Sequence, residues 1–323
     1  MIKKNRGTLN FLFLIILLFV SFGLSLYFGA EKPDRFIVLN LRLPRSILVL
    51  ISGCLLASSG CVFQFYFQNP LAEPGLMGIS AGATLGAVLS VVSGVFTFFN
   101  GFVSSLNIFA FLGALLSGGI LCLLANFGKT KMNNVILLLC GTAMGTFFGA
   151  ISSSILLMNK NELYGIYSWL LGSFNGRGLY DLEFLIIPSV LSIIIMCFTV
   201  PYLDLMNGGE RNASQLGVNV SLLRSLVLVS GSLAISVAVC AGGTISFVGL
   251  IAPHIMRRLF SSKAKTLLLS SALGGGILLL VSDTIARVIM RPGELPCGIV
   301  TSFLGVPFFF FLILSGLKKK ESL

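Results

Sequence analysis

Long apolar runs alternate with short polar stretches along the whole chain. Lys3, Lys4 and Arg6 precede an uncharged run over 7–30. Further apolar runs follow at about 46–66, 76–98, 105–127, 134–157, 182–204, 223–243, 246–260, 266–289 and 298–317. A helix needs about 20 apolar residues to cross a bilayer. The pattern therefore predicts an all-α, polytopic membrane protein with about ten transmembrane helices, of which the eighth is short and contains Pro253.

The first run has one alternative interpretation, a cleaved signal peptide. The apolar region of a signal peptide spans about 7–15 residues and ends at a small-x-small cleavage site. The run here is longer and ends in Tyr27-Phe28-Gly29-Ala30, so we interpret it as an uncleaved first helix. No apolar run is followed by a polar stretch of domain size, and we expect a single transmembrane domain over 1–323.

Composition supports the membrane class. Hydrophobic residues make up 56% of the 323 residues and charged residues 10%, with a mean hydropathy of +1.00. A soluble protein carries about 25% charged residues, so a soluble enzyme is excluded. The seven cysteines include no CxxC pair, and we interpret them as small core residues. The sequence therefore predicts neither a metal site nor a bound cofactor.

The net charge of +11 is explained by membrane orientation. With the amino terminus inside, most Lys and Arg residues fall on the inner side and most Asp and Glu residues on the outer side. This distribution follows the positive-inside rule and predicts that both termini are cytoplasmic. Nucleic-acid binding is not expected, because no basic cluster alternates with aromatic residues on a soluble face.

Two short motifs resemble catalytic sites. Gly128-Lys129-Thr130 lacks the second glycine and the preceding strand of a phosphate-binding loop, so we interpret Lys129 as an inner-side anchor. Gly78-Ile79-Ser80-Ala81-Gly82 matches a nucleophile elbow. Together with His254 it leaves an intramembrane serine protease with a Ser80–His254 dyad as an alternative, although Gly78, Gly82 and Gly86 are also spaced for helix packing.

Charged residues at the predicted membrane boundary are more informative, because charges there are costly and usually have a role. Arg42 and Arg45 flank Pro44 where the second helix begins on the outer side. Asp283 and Arg287 are four residues apart and can pair on one helix face. Two interpretations stay open: an ion-paired rim that caps helix ends, or a docking surface for an acidic partner or substrate.

Prolines and glycines interrupt the apolar runs in both halves of the chain. The first interruption is 69–75, and the others are Gly242-Gly243, Pro253 and Pro296-Cys297-Gly298. Interrupted apolar segments in both halves are typical of transporters. These residues alone predict a transporter or channel, driven by a partner subunit or by an ion gradient.

Several segments together carry a family resemblance. In chain order they are Leu41-Arg42-Leu43-Pro44-Arg45, Gly60 with Gln64, 68–83, Trp169 with Gly172-Ser173, Gln215-Leu216-Gly217-Val218, 243–255, Asp283 with Arg287, 294–301, and Gly305 with Pro307-Phe308. This set resembles the FecCD family, the permease subunits of ABC importers for ferric siderophores, haem and vitamin B12. The segments span about 41–311, most of the chain.

The resemblance implies a type II ABC importer permease fold of ten helices in a bacterial inner or cytoplasmic membrane. It implies a dimer around a central path, with two cytoplasmic ATPase subunits that supply the energy. A periplasmic or lipid-anchored substrate-binding protein would deliver the cargo. The partner permease can be a second copy or a paralogue. The cargo expected is an iron chelate such as a ferric siderophore, with haem or vitamin B12 as the alternative.

The resemblance also assigns roles to residues. The cytoplasmic coupling loop falls on Leu205–Leu222. Its implied ATPase contacts are Glu210, Arg211, Ala213, Gln215, Leu216, Gly217 and Val218. The implied docking residues for the binding protein are Arg42, Arg45 and Arg287. The cytoplasmic gate corresponds to Asn133 and Asn134, where the vitamin B12 member has small hydroxyl residues. His254 belongs to a Pro-His pair of the family, and no role is assigned to it.

Overall fold

The computed structural model describes residues 2–29, 31–93, 104–126, 134–159 and 163–321. Within these ranges the chain is almost entirely helical and contains no strand. The helices are α1 Ile2–Tyr27, α2 Arg35–Ile37, α3 Leu43–Tyr66, α4 Ile79–Val92, α5 Ser105–Asn126, α6 Asn134–Met158, α7 Leu163–Leu170, α8 Leu179–Met206, α9 Glu210–Gln215, α10 Val220–Gly242, α11 Val248–Leu259, α12 Ala264–Ile289 and α13 Cys297–Glu321.

The predicted membrane topology is confirmed at the level of helix positions. Among the described residues, 8 helices are long and apolar enough to cross a membrane. The two remaining predicted positions carry the shorter helices α4 and α11. The chain is therefore a multi-pass helical membrane protein, and the predicted all-α class is correct.

The second predicted helix begins 11 residues earlier than the apolar run that predicted it. Arg35–Tyr66 is one continuous span of 32 residues, in which a π-helical turn over Val38–Arg42 joins α2 to α3. Asp34 caps its start by accepting a hydrogen bond from the Phe36 N–H at 3.4 Å. The wider turn lets the helix continue past Pro44, whose ring would otherwise clash with the preceding turn.

Helices α4 and α11 are short because the chain is interrupted immediately before each of them. A 3₁₀ turn over Pro74–Met77 leads into Gly78, which has a φ of 71° and precedes α4. Phe247 precedes α11 with a φ of 70°, a left-handed conformation that is rare for a bulky residue. The predicted interruptions at 69–75 and at Gly242-Gly243 are thus confirmed, whereas Pro253 lies inside α11 and does not interrupt it.

Helices α3 and α10 form the centre of the bundle. Within their spans 78% and 83% of residues are buried, against 17% for α1 and for α6. Helix α3 packs against α8, α10, α11 and α12. Several of these contacts bring backbones together at glycines, as small residues allow in membrane bundles. The predicted close packing of Gly82 and Gly86 is confirmed against α5, whereas Gly149 of α6 faces open space.

The two ends of the bundle differ in which polar residues they collect. What we call the α9 end carries the short helix α9, the C-terminus of α11, and Asn10 of α1, which donates to the Leu259 carbonyl at 2.8 Å. What we call the α2 end carries α2, the C-terminus of α1 and the last turns of α12. The arginines predicted to dock a partner lie at the α2 end, and the predicted coupling loop lies at the α9 end.

Candidate functional site

A buried ion-pair cluster lies at the α2 end and joins α3 to α12. Arg45 contacts the Asp283 carboxylate at 2.8 Å and the Glu294 carboxylate at 2.7 Å. Arg287 contacts the other oxygen of Asp283 at 3.0 Å. Asp283 is fully buried and Arg287 only 2% exposed. The predicted pairing of Asp283 with Arg287 is confirmed, and Arg45 completes the cluster.

Arg42 is held differently from the other two arginines. Its guanidinium donates to the carbonyl oxygens of Leu26 at 2.9 Å, Tyr27 at 2.7 Å and Glu31 at 2.6 Å. Leu26 and Tyr27 close the last turn of α1, where free carbonyl groups favour a cation. Arg42 therefore caps α1, and its charge is balanced by carbonyl groups instead of by a carboxylate ion pair.

The three arginines line a cavity of about 400 Å³ that opens at the α2 end. Arg177 adds a fourth guanidinium to its wall, and Glu31 and Glu294 are the acidic residues among the lining groups. Arg45 and Arg287 pair with carboxylates of the buried cluster, and Arg177 lies 3.8 Å from the Asp181 carboxylate, so the positive character of the cavity comes mainly from Arg42. These contacts agree with one of the two interpretations of the sequence, an ion-paired rim that caps helix ends, and they bury the arginines in a concave pocket.

At the α9 end, the predicted coupling loop forms a short helix with two distinct faces. Ala213 is fully buried and Val218 is 6% exposed, so these two residues anchor the segment to the bundle. Arg211, Gln215 and Leu216 are exposed, and Leu216 presents 67% of its surface. Gly217 follows the C-cap residue Leu216, and its φ of 87° is a left-handed conformation that suits glycine after a helix end.

Glu210, the first residue of α9, points inward. Its carboxylate lies 3.3 Å from Arg224 of α10 and accepts a hydrogen bond from the Tyr66 hydroxyl at 3.3 Å. Arg224 is 2% exposed and also donates to that hydroxyl at 2.7 Å. Neither Tyr66 nor Arg224 was singled out from the sequence. The only sequence signal was a charged residue at the start of an otherwise apolar run.

Of the two residues predicted to form the gate, Asn134 is among the described residues. Asn133 lies outside the described residues. Asn134 is the first residue of α6, and its side-chain amide donates to the Tyr66 carbonyl at 3.3 Å. The predicted gate position is therefore in contact with the residue that also holds Glu210.

A mainly apolar concavity of about 570 Å³ runs along α13. Leu170, Phe303 and Val306 give it apolar walls, and Thr244, Ser246 and Ser302 add hydroxyl-bearing residues. Backbone contacts fix one wall, because Gly298 donates to the Gly172 carbonyl at 3.0 Å. A surface with few polar groups and no charged residue among its lining can guide a bulky ligand without holding it tightly.

Nothing in the described structure supports a Ser80–His254 dyad. The described hydrogen bonds include none between the two side chains, and the His254 ring instead packs edge-on against Phe308 at 5.7 Å. The described residues also contain no cluster of three or more His, Cys, Asp or Glu side chains able to hold a metal ion. The contact with Phe308 is a packing contact of the His254 ring.

Comparisons with known proteins agree with this arrangement. The model of the FecCD transport family matches residues 8–315. The Fe(3+)-citrate import system permease protein YfmE of Bacillus subtilis (strain 168) is 35% identical over 326 residues, 96% of each chain. The vitamin B12 import system permease protein BtuC of Yersinia enterocolitica serotype O:8 is 35% identical over 311 residues, 93% of this chain and 91% of that protein.

A solved structure shares the whole architecture. It is described as an inward-facing conformation of a metal-chelate type ABC transporter, and its chain superposes with a TM-score of 0.83. The match covers 93% of this chain and 97% of the other, at 29% sequence identity.

Proposed function

Since the chain belongs to the FecCD transport family and is a permease subunit of an ABC importer, we propose that it imports an iron chelate by alternating access driven by ATP. The chain is not an enzyme, because ATP hydrolysis in ABC transporters takes place in a separate ATPase subunit. Permeases of this kind work with ATPase subunits, a substrate-binding protein and a second permease.

The exposed face of α9 is the observation that carries the proposal. Leu216 follows the exposed polar residues Arg211 and Gln215 and presents 67% of its surface, and such a mixed exposed segment suits a contact with another protein. Ala213 and Val218 hold this face to the bundle, so force applied to α9 reaches the permease. We assign the ATPase contact to Arg211, Gln215, Leu216 and Gly217. The complex would contain two copies of the ATPase. The chain would form a single transmembrane domain in a bacterial membrane, with both of its termini in the cytoplasm.

The first experiment isolates the tagged chain from its native membrane in mild detergent and identifies the proteins that accompany it. We expect an ATPase subunit and a second permease, either the same chain or a paralogue. Leu216→Asp should lower recovery of the ATPase about tenfold or more, since it buries a charge in an apolar contact. Leu259→Asp is the matched control, because Leu259 is 53% exposed at the same end. Recovery of the chain alone would contradict the proposal and favour an ion-coupled carrier.

The cavity at the α2 end is the proposed docking site for the binding protein. Acidic side chains of the binding protein would insert into the cavity and contact Arg42, Arg45 and Arg287. The binding protein would be either periplasmic or anchored to the membrane by a lipid. Arg45 and Arg287 are unsuitable for a test, because replacing either one breaks a buried ion pair with Asp283 and is expected to destabilise the fold by about 3–5 kcal/mol. Arg42 pairs with no carboxylate in these contacts, so its replacement leaves carbonyl groups at the end of α1 without a donor, a smaller cost than a buried unpaired carboxylate.

Arg42→Gln should weaken binding of the substrate-binding protein about fivefold or more at low salt, with a smaller effect at high salt. Arg42→Lys should retain most of the affinity, since it keeps the charge. Arg35→Gln is the matched control, because Arg35 is exposed outside the cavity. The measurement is an equilibrium titration of the binding protein onto the purified complex. Equal affinity for Arg42→Gln and the parent would remove Arg42 from the docking site.

The cargo is proposed as an iron chelate, with haem or vitamin B12 as the alternative. The ferric-citrate relative aligns over 96% of both chains, and the solved structure is of metal-chelate type, which supports the iron chelate. The vitamin B12 relative is equally identical, so the test must compare both cargoes. Cells with and without the chain should differ in uptake of radiolabelled ferric citrate or a ferric siderophore. A difference confined to cobalamin or haem would replace the iron chelate as cargo.

A further inference from the structure

The carboxylate of Glu210 fixes helix α9 to the centre of the bundle. It contacts Arg224 of α10 at 3.3 Å and receives a hydrogen bond from Tyr66 of α3 at 3.3 Å. Arg224 and Tyr66 belong to the two most buried helices, whereas most of α9 is exposed. Displacement of α9 must therefore either break these contacts or move α3 and α10 with it.

Arg224 is fully committed to this junction. Its Nε donates to the Tyr66 hydroxyl oxygen at 2.7 Å, and its Nη1 donates to the Ala125 carbonyl at 3.0 Å, in the last turn of α5. A buried arginine contributes little net stability compared with an apolar side chain of similar volume. What the arginine does provide is a defined geometry, because its donors lie in a fixed planar arrangement.

Tyr66 extends the junction to the predicted gate. Its hydroxyl faces Glu210 and Arg224, and its main-chain carbonyl accepts from the Asn134 side chain at 3.3 Å. Asn134 begins α6, in which only 17% of the most apolar 18-residue stretch is buried, so most of this helix lies away from the core. One residue is thus in contact with α9 on one side and with the start of α6 on the other.

We propose that Glu210, Arg224 and Tyr66 are positioning residues that transmit movement of α9 to the gate end of α6. The inference rests on the proposed function, in which α9 receives the ATPase. It assigns Glu210 to an internal connection and leaves the ATPase contact to the exposed residues Arg211, Gln215 and Leu216.

The test measures movement at α6 directly and requires no knowledge of the cargo. Val135, 60% exposed beside Asn134, is replaced by cysteine in a chain whose exposed Cys197 is replaced by serine. The purified complex with its ATPase is labelled with a charged maleimide, with and without ATP and vanadate. The chain carrying Cys197→Ser alone measures background labelling. The readout is the change in the labelling rate of the introduced thiol on trapping the nucleotide.

Tyr66→Phe removes one hydroxyl and Glu210→Gln one charge, and both changes conserve volume. We expect each variant to retain the ATPase and to hydrolyse ATP at a rate within about twofold of the parent rate. The nucleotide-dependent change in the labelling rate should fall at least about fivefold, because each variant loses one charge-assisted hydrogen bond. Tyr202→Phe is the matched control, since Tyr202 is exposed on α8 near the same end.

Three outcomes would overturn the inference. The labelling change could persist in both variants, the parent complex could show no labelling change at all, or Glu210→Gln could lose the ATPase, which would make Glu210 a direct contact. Failure of the proposed function is distinct, because then the unmodified chain recovers no ATPase and Leu216→Asp has nothing to disrupt.

Discussion

At the scale of single residues, the closest packing in the bundle depends on glycines whose neighbours are main-chain atoms. A Cβ atom on Gly60 of α3 would overlap the carbonyl oxygen of Gly249 in α11. Gln64, one turn further along α3, donates to that same carbonyl at 3.3 Å. A side chain could rotate away from an added methyl group, but a helix backbone can do so only by shifting the whole helix.

Gly60→Ala is therefore expected to lower stability by about 1–3 kcal/mol or to prevent folding. Gly119→Ala is the matched control, since an added Cβ there meets nothing within 4 Å and alanine favours the helix. Thermal unfolding in detergent, together with the yield of monodisperse protein, measures both. If the Gly60→Ala chain were as stable as the Gly119→Ala chain, α3 and α11 could move apart without lowering the stability of the fold.

At the scale of elements, one carboxylate joins the two interrupted segments. Glu73, in the segment before α4, accepts a hydrogen bond from the main-chain N–H of Phe247, which precedes α11. The partial positive charge of a helix N-terminus favours a carboxylate there. Glu73 thereby holds Phe247 in its left-handed conformation, and the Phe247 ring lies against Gly305 of α13.

The environment of Glu73 predicts a pH dependence. Burial raises the pKa of the Glu73 carboxyl, and the hydrogen bond from Phe247 partly opposes this shift. Because the pKa is higher in the folded state than in the unfolded state, protonation of Glu73 favours folding. Its contribution is therefore present at low pH and falls as the pH rises from the unfolded pKa through the folded one.

Replacing Glu73 separates the charge from the hydrogen bond. Glu73→Gln keeps an acceptor for Phe247 without charge, so its thermal stability at pH 7 should equal or exceed that of the parent. The difference between parent and Glu73→Gln should shrink as the pH falls from 7 to 5. Glu73→Ala loses the acceptor and should be less stable than Glu73→Gln by about 1 kcal/mol or more. A parent more stable than Glu73→Gln at pH 7 would show that the charge itself is required.

At the scale of the whole molecule, α6 and α13 expose an apolar surface that the bundle does not cover. Only 17% and 28% of their spans are buried. Phe303 of α13 is 77% exposed and lies beside the concavity along that helix. A second permease placed against the exposed side of α13 would close the concavity into a path shared by two subunits, as in the proposed dimer.

Phe303→Asn should therefore weaken pairing of the two permeases. Phe19→Asn is the matched control, because Phe19 is 69% exposed on α1, which we expect to face lipid. Native mass spectrometry of the isolated complex distinguishes one permease from two. We expect the parent and Phe19→Asn to retain two permease subunits, and Phe303→Asn to lose a fraction of them. Equal pairing in both variants would place the dimer interface elsewhere.

The sequence by itself determined the class, the helices and the place of the interruptions. Apolar runs of about 20 residues require helices in a membrane, because every main-chain polar group must be satisfied within its own segment. Interruptions are visible because proline and glycine are local signals. The family could also be identified from local signals, because its motifs are short segments that occur in a fixed order along the chain.

Only the tertiary structure decided which charged residues face a partner and which face the core. In the sequence Arg42, Arg45 and Arg287 are charged residues at the predicted membrane boundary with two open interpretations, and only the fold shows that α1, α3 and α12 converge around them and bury them. Glu210 and Arg211 are adjacent in the sequence, yet one points inward and the other outward. Which side of a six-residue helix is buried depends on the helices it packs against, and those are distant in the chain.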